Sequence, residues 1–271
     1  MKKNIIIVLV ALIAIAVGLF AMTALIDKGR GLAFRHSQEQ FQKMYAEAKD
    51  LETKGSYLNA QAMYKGILDK SKDPALLGRI DEALMALNTK ILFSPLQTDD
   101  SAVYTVEPGD TLAKIARKFN TTVQLVMKSN GLASDMIREG QKLKVSTAVY
   151  SILVDYSDNV LFLKADGDVI KKYTVATGIN NSTPLGKFKI INKLKDPTWF
   201  KAGAVVPPGS DDNILGTRWM GLSVAGYGIH GTTIPESIGQ HATAGCVRML
   251  MSDVEELYDI MPVGAEVEVV D

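Results

Sequence analysis

Twenty-two consecutive residues, Ile5 to Ile26, carry no charge and a single polar side chain, the Thr23 hydroxyl. Coiled as a helix, such a run rises about 33 Å, enough to cross a hydrocarbon layer of about 30 Å. Cleavable signal peptides have apolar cores of roughly 7–15 residues, and no small-x-small cleavage site follows this run. No cysteine stands near it to take a lipid. The expectation is therefore an uncleaved single-pass anchor over residues 1–31. Lys2 and Lys3 on one side face Lys28, Arg30 and Arg35 on the other. The flanking charges thus leave the orientation to the downstream domains.

The chain has 271 residues, 30 basic and 30 acidic. That length suits two domains. With 47% apolar and 22% charged residues it is not a disordered composition. One cysteine, Cys246, excludes an internal disulfide framework and any multi-cysteine metal cluster. A net charge of zero gives no reason to invoke nucleic acid. No cofactor and no metal are expected.

Residues 32–92 read as helices. Phe41, Met44, Tyr45, Ala48 and Leu51 recur at helical spacing, as do Ala60, Met63, Tyr64 and Ile67. Gly55-Ser56 separates these two, and Asp73-Pro74 opens a third helix carrying Leu77, Ile80, Leu84 and Leu87. Gly55, Tyr57, Ala60 and Tyr64 resemble the middle of one tetratricopeptide repeat, with no second repeat to stack on it. The segment reads as a helical spacer; a groove for a protein partner is the alternative. Residues 93–102 read as a linker.

Residues 103–146 run strand, helix, helix, strand. Tyr104 and Val106 alternate, Pro108-Gly109 turns the chain, and Asp110 is placed to cap a helix. Thr121-x-x-Gln124 reads as the capping box of a second helix ending at Asn130-Gly131. Tyr104-Thr-Val-Glu-Pro-Gly-Asp110-Thr-Leu, Ile115-Ala, Asn130-Gly131-Leu132 and Ile137-x-x-Gly140-Gln-x-Leu143 together resemble a LysM domain. The resemblance implies binding of N-acetylglucosamine-containing glycan, usually peptidoglycan. It points to Gly109, Asp110, Thr111, Asn130, Gly131 and Leu132 as contacts.

Residues 147–271 turn to two-residue periodicity. Tyr150, Ile152 and Val154 alternate, then Val160 and Phe162, and Asp166-Gly167 marks a tight hairpin. One helix is expected, Ser252–Ile260, with Ser252 as its cap. The fold class is therefore multidomain: a membrane helix, a helical segment, a βααβ LysM unit and a mainly-β C-terminal domain.

Chemistry concentrates in that last domain. Cys246 lies in Thr243-Ala-Gly-Cys-Val-Arg248, sixteen residues after His230 in Gly228-Ile-His-Gly-Thr232. A thiol becomes a strong nucleophile once ionised, and an imidazole can take its proton and later return one to a leaving amine. The Gly245 and Cys246 N–H groups could stabilise an oxyanion.

Thr183-Pro-Leu-Gly186, Asp196-Pro-Thr-Trp199, Gly216-Thr-Arg-Trp219-Met-Gly221, Tyr227-Gly-Ile-His230-Gly231-Thr232, Ser237-Ile-Gly239 and Gly245-Cys246-Val247-Arg248 resemble the YkuD-type L,D-transpeptidases from Val149 to the C-terminus. The resemblance implies attack by Cys246 on the bond between residues 3 and 4 of a tetrapeptide stem. D-Ala leaves and the acyl group passes to an amine. His230 serves as base and acid, and the Gly231 carbonyl fixes its tautomer. Arg248, Tyr227, Trp219 and Thr243 are candidates for substrate contact.

Two positions depart from the family pattern, which has Ser-His before Gly-Cys where this chain has Thr243-Ala244. His241 is expected at the rim, and His36 in solvent. No Ser-x-x-Lys, Lys-Thr-Gly, Gly-x-Ser-x-Gly or His-Glu-x-x-His occurs, which removes the serine and metal routes. Hydrolysis by the same pair, or a non-catalytic wall-binding scaffold, remains open. Because peptidoglycan lies outside the membrane, the resemblances imply N-terminus in and catalytic domain extracytoplasmic.

Overall fold

The computed structural model describes residues 36–201 and 203–271. The membrane anchor expected over residues 1–31 lies outside them; among the described residues, no helix is long and apolar enough to cross a membrane. The chain divides into two compact units, with the break after Leu84.

The first unit is helical. Helix α1 runs through residues 36–53, Gly55 turns the chain at φ 76°, and α2 spans Tyr57–Leu68. Ala48, Ala60, Tyr64 and Ile67 bury completely between them, and the rings of Tyr45 and Tyr64 lie 5.7 Å apart. Helix α3, Pro74–Leu92, starts at the proline as expected, because proline is preset for the first helical turn. Its buried stripe is Leu76, Ile80, Ala83, Leu84 and Leu87, so Leu76 takes the inward place expected of Leu77.

The second unit opens with the βααβ module: β1 Ser101–Thr105, α4 Leu112–Lys118, α5 Val123–Ser129 and β2 Lys142–Ser146. β1 pairs antiparallel with β2 over all five residues. Strand pairing thus starts at Ser101, inside the expected linker. Val106, Leu112, Ile115, Val126, Leu143 and Val145 form its core. Both helix caps sit one residue later than expected. Thr111, not Asp110, accepts the Lys114 N–H at 3.2 Å, and Thr122, not Thr121, accepts that of Leu125 at 2.9 Å. Asp110 instead binds the Glu107 N–H at 2.9 Å and the Tyr104 hydroxyl at 2.8 Å, which hold its carboxylate below the usual range.

This module is anchored to its neighbours on both sides. Leu125 belongs to the core of the mainly-β domain, Lys128 pairs with Asp259 at 2.6 Å, and the Thr122 hydroxyl bonds the Asp259 carbonyl. On its other side the buried Lys144 ammonium binds the carbonyls of Ile91 at 3.0 Å and Ser94 at 2.9 Å. A cation at the C-terminal end of α3 is favoured by the carbonyls gathered there.

The mainly-β domain comprises β3 Tyr150–Asp155, β4 Val160–Ala165, β5 Asp168–Thr174, β6 Thr177–Gly178, β7 Gly186–Lys195, β8 Trp199–Lys201, β9 Ala204–Val206, β10 Arg218–Leu222, β11 Gly228–His230, β12 His241–Thr243, β13 Val247–Arg248 and β14 Glu266–Val270. Eight of them form one sheet in the order β13-β11-β10-β7-β14-β3-β4-β5. Helix α6, Met251–Ile260, buries Val254, Leu257 and Ile260 in the core shared with this sheet. Its N-cap is Leu250, whose side chain makes no capping bond, so Ser252 lies inside the helix. Tyr150, Ile152 and Val154 face the core as expected. On β4 it is Leu161 and Leu163 that bury fully, while Phe162 is only partly covered. Asp166 and Gly167 both take positive φ in the turn between β4 and β5, as a tight hairpin requires.

Candidate active site

Strand register builds the site. β11 and β13 run parallel with Ile229 opposite Val247 and His230 opposite Arg248. Side chains alternate across a strand. Ile229 and Val247 therefore enter the core, where both are buried, and His230 and Arg248 share the other face. Cys246 directly precedes β13, two residues before Arg248. The antiparallel β10 adds Trp219 opposite His230, and β7 adds Leu194 opposite Trp219. One row thus crosses four strands: Leu194, Trp219, His230, Arg248. The neighbouring row holds Asn192, Gly221 and Gly228.

The glycines of the second row make room for the first. A Cβ on Gly228 would stand 2.6 Å from the Trp219 ring, and one on Gly221 would stand 2.6 Å from the Asn192 amide. The indole can therefore lie near-parallel to the His230 ring, at 5.8 Å between centroids and 19° between planes. Its Nε1 donates to Asn192 at 3.2 Å.

His230 is buried, and its Nδ1 lies 2.7 Å from the Gly231 carbonyl. A carbonyl can only accept, so Nδ1 carries the proton and Nε2 is left as the basic nitrogen. Burial pulls the imidazole pKa down to about 4, opposed by the Gly231 bond and assisted by the Arg248 charge. The partly exposed Cys246 thiol lies 3.7 Å from the Gly226 carbonyl. Burial pushes its pKa above the ordinary value, while a Gly228 backbone contact and Arg248 pull it back.

The turn before Cys246 is braced from inside. The Thr243 hydroxyl, 5% exposed, donates to the Cys246 carbonyl at 2.7 Å and accepts the Gly245 N–H at 3.0 Å. Two expectations change accordingly. The Gly245 N–H is engaged within the turn rather than open to an oxyanion, and Thr243 is a buried brace rather than a substrate contact. Gly245 has φ 129°, and a Cβ there would meet the Tyr227 ring at 2.5 Å and the Ser182 carbonyl at 2.7 Å. Tyr227 is thereby packed against the turn before Cys246. Ala244 is exposed, so the imidazole of the family pattern is missing from the surface of this turn.

Arg248 is buried, with Nη1 donating to Ser237 Oγ at 3.0 Å. His241 is exposed, stacks on Tyr156 at 4.5 Å and bonds Thr177 Oγ1 at 2.7 Å. It belongs to the rim, and His36 is exposed.

Comparison with known proteins supplies the family. The model of the YkuD L,D-transpeptidase catalytic domain matches residues 149–269, and that of the LysM domain matches 104–146. YkuD of Bacillus licheniformis is 35% identical over 175 residues, covering 62% of this chain and 98% of its own. The chain belongs to the YkuD L,D-transpeptidase family. YkuD of Bacillus subtilis is 34% identical over 173 residues, 61% of this chain and 97% of that one. The cell wall-binding protein YocH of Bacillus subtilis is 34% identical over 102 residues, 37% of this chain and 35% of its own.

In this family member the LysM residues divide by what already occupies them. Asn130 spends its amide on β2 and α5, accepting the Lys144 N–H at 2.8 Å and donating to the Lys144 and Val126 carbonyls at 2.8 Å each. Its side chain is a brace, which corrects its expected place among the glycan contacts. Asp110 and Thr111 serve the turn and the first helix cap, and Leu132 packs on the LysM core. Gly109 and Gly131 are exposed, with positive φ.

Sequence reasoning passed over Asn192 and Ser182, and quoted Ser237, Gly221 and Gly228 only within family motifs, with no part in the site. The available signal was glycine inside a strand, which marks close approach of other groups.

Proposed function

We propose that this protein is a peptidoglycan L,D-transpeptidase working through Cys246 and His230, with its LysM domain on the glycan. The observation that carries the reading is the β11–β13 register, which lays Val247-Arg248 alongside Ile229-His230 so that Cys246 directly precedes the strand paired with His230, whose Nδ1 is held by the Gly231 carbonyl. His230 Nε2 takes the thiol proton as sulfur attacks the carbonyl of stem residue 3. The C–N bond to D-Ala breaks, and the imidazolium gives its proton to the leaving amine. An acceptor amine then attacks the thioester, His230 takes that amine's proton, and the thiol re-forms. The Cys246 N–H is the turn donor left for the oxyanion. Trp219 stacked on His230 keeps the imidazole plane fixed through both proton transfers.

The test is mass spectrometry of products from a tetrapeptide stem, with and without an amine acceptor. The expected result is D-Ala release and an acceptor adduct, both lost in Cys246→Ala and in His230→Ala. Release without an adduct would make the protein an L,D-carboxypeptidase. An inert chain whose Cys246 also fails to be acylated by a carbapenem would leave only a wall-binding scaffold.

Matches to the LysM model and to a cell wall-binding protein support the glycan role. The seven basic and four acidic residues over 103–146 suit a polymer with acidic stems. The same reading places the enzyme on the cytoplasmic membrane through Ile5–Ile26, N-terminus in and catalytic domain outside. A C-terminal reporter active only in the cytoplasm would overturn that topology.

A further inference from the structure

Arg248 is a buried cation without an anion. It is 6% exposed, its Nε has no hydrogen-bond partner, and its one side-chain bond goes to the neutral Ser237 hydroxyl. Among the described residues it belongs to no ion pair. Burying a charge in this state is costly, and a carboxylate nearby would relieve it. Of the charges acting on Arg248, the one that favours its ionised form is Cys246, and the strand beside it supplies the neutral partner position of His230. The acid closest in sequence to Ser237 is Glu236, which is exposed.

The backbone beneath Arg248 is held from both sides. Its N–H and carbonyl exchange bonds with Ala176 at 2.8 Å each, while β11 pairs along the other edge. The guanidinium thus leaves the sheet on the face of His230, two residues along the chain from Cys246. The anion this arrangement awaits is one that forms during the reaction.

We propose that Arg248 is the fixed counter-charge of the Cys246 thiolate, stabilising the anion created when His230 removes the thiol proton. The electrostatics agree in direction. Arg248 is the charged group that lowers the thiol pKa against burial, and His230 is neutral at neutral pH and supplies no resting cation. Arg248 acts through the sulfur, as a positioning residue. The inference rests on the transpeptidase reading only in taking Cys246 as the nucleophile.

Its test needs no stem peptide. The rate of Cys246 alkylation by iodoacetamide is followed against pH in the full chain. In Arg248→Gln the midpoint should rise by about one pH unit, so the rate at pH 7 falls about ten-fold while the high-pH plateau is kept. Arg248→Lys, which retains the charge, should restore most of the rate. Coincident profiles for wild type and Arg248→Gln would overturn the proposal. An unmoved midpoint with a raised KM for stems would also overturn it, by assigning Arg248 to a substrate carboxylate.

Should Arg248→Gln fail to fold, Arg248→Met, which keeps an apolar stem in the buried site and removes the charge, gives a second reading. Its alkylation midpoint should also rise by about one pH unit. A midpoint unmoved from wild type would overturn the proposal. If wild type releases no D-Ala yet its alkylation profile responds to Arg248, the transpeptidase reading fails and this one stands.

Discussion

At the scale of single residues, His230 dominates the pH behaviour. Its folded pKa of about 4 lies below the ordinary 6.5. Between those values the unfolded chain binds a proton that the folded chain does not, so stability rises with pH through this window. A gap of that size corresponds to about 3 kcal/mol, present above pH 6.5 and lost as the pH falls towards 4. Denaturant midpoints measured from pH 4 to 7 should therefore climb steeply in wild type and flatten in His230→Phe. Thr243 yields a second expectation. Thr243→Val keeps the shape but removes both hydroxyl bonds of the turn before Cys246, leaving the buried Gly245 N–H unpaired. The cost should be about 1–3 kcal/mol in stability, together with a fall in kcat that exceeds any change in KM. Chemical denaturation and steady-state kinetics on the same preparation would read both.

At the scale of elements, the glycines under Trp219 matter more than the sequence suggests. Gly228→Ala drives a methyl group into the indole, so the ring must leave its stack on His230. About 1–3 kcal/mol of stability should be lost, with an altered near-ultraviolet circular dichroism band from the displaced tryptophan. Much of the element structure is legible in the sequence, because alternation and tight turns are local signals. Tyr150, Ile152 and Val154, the Asp166-Gly167 hairpin and the Pro74 helix start are of this kind. The caps are not, since Asp110-Thr111 and Thr121-Thr122 each present two adjacent residues of capping chemistry and only geometry selects one. Cys246 and His230 stand out by residue type. Their neighbours Asn192, Ser182 and Ser237 do not, because they reach the site through pairing and packing between segments far apart in sequence.

At the scale of the whole molecule, the LysM domain is built into the enzyme rather than tethered to it. Leu125 lies in the catalytic core, Asp259 is held by both Thr122 and Lys128, and Lys144 closes the end of α3. Calorimetry should show a single cooperative transition for residues 85–271, where a tethered module would give two. Deleting residues 103–146 would strip Leu125 from that core and uncover α6. Glycan binding is therefore better tested by titrating soluble glycan fragments into the full chain than by deletion.

The eight-stranded sheet also sets a timetable for synthesis. Its order places β14 between β3 and β7, parallel to the first and antiparallel to the second. A ribosome that has translated everything through α6 has therefore made two half-sheets, each with an open edge of unpaired N–H and carbonyl groups. The catalytic face cannot be locked in place until Glu266–Val270 leave the exit tunnel. Until that moment the nascent chain presents exposed strand edges to any chaperone within reach.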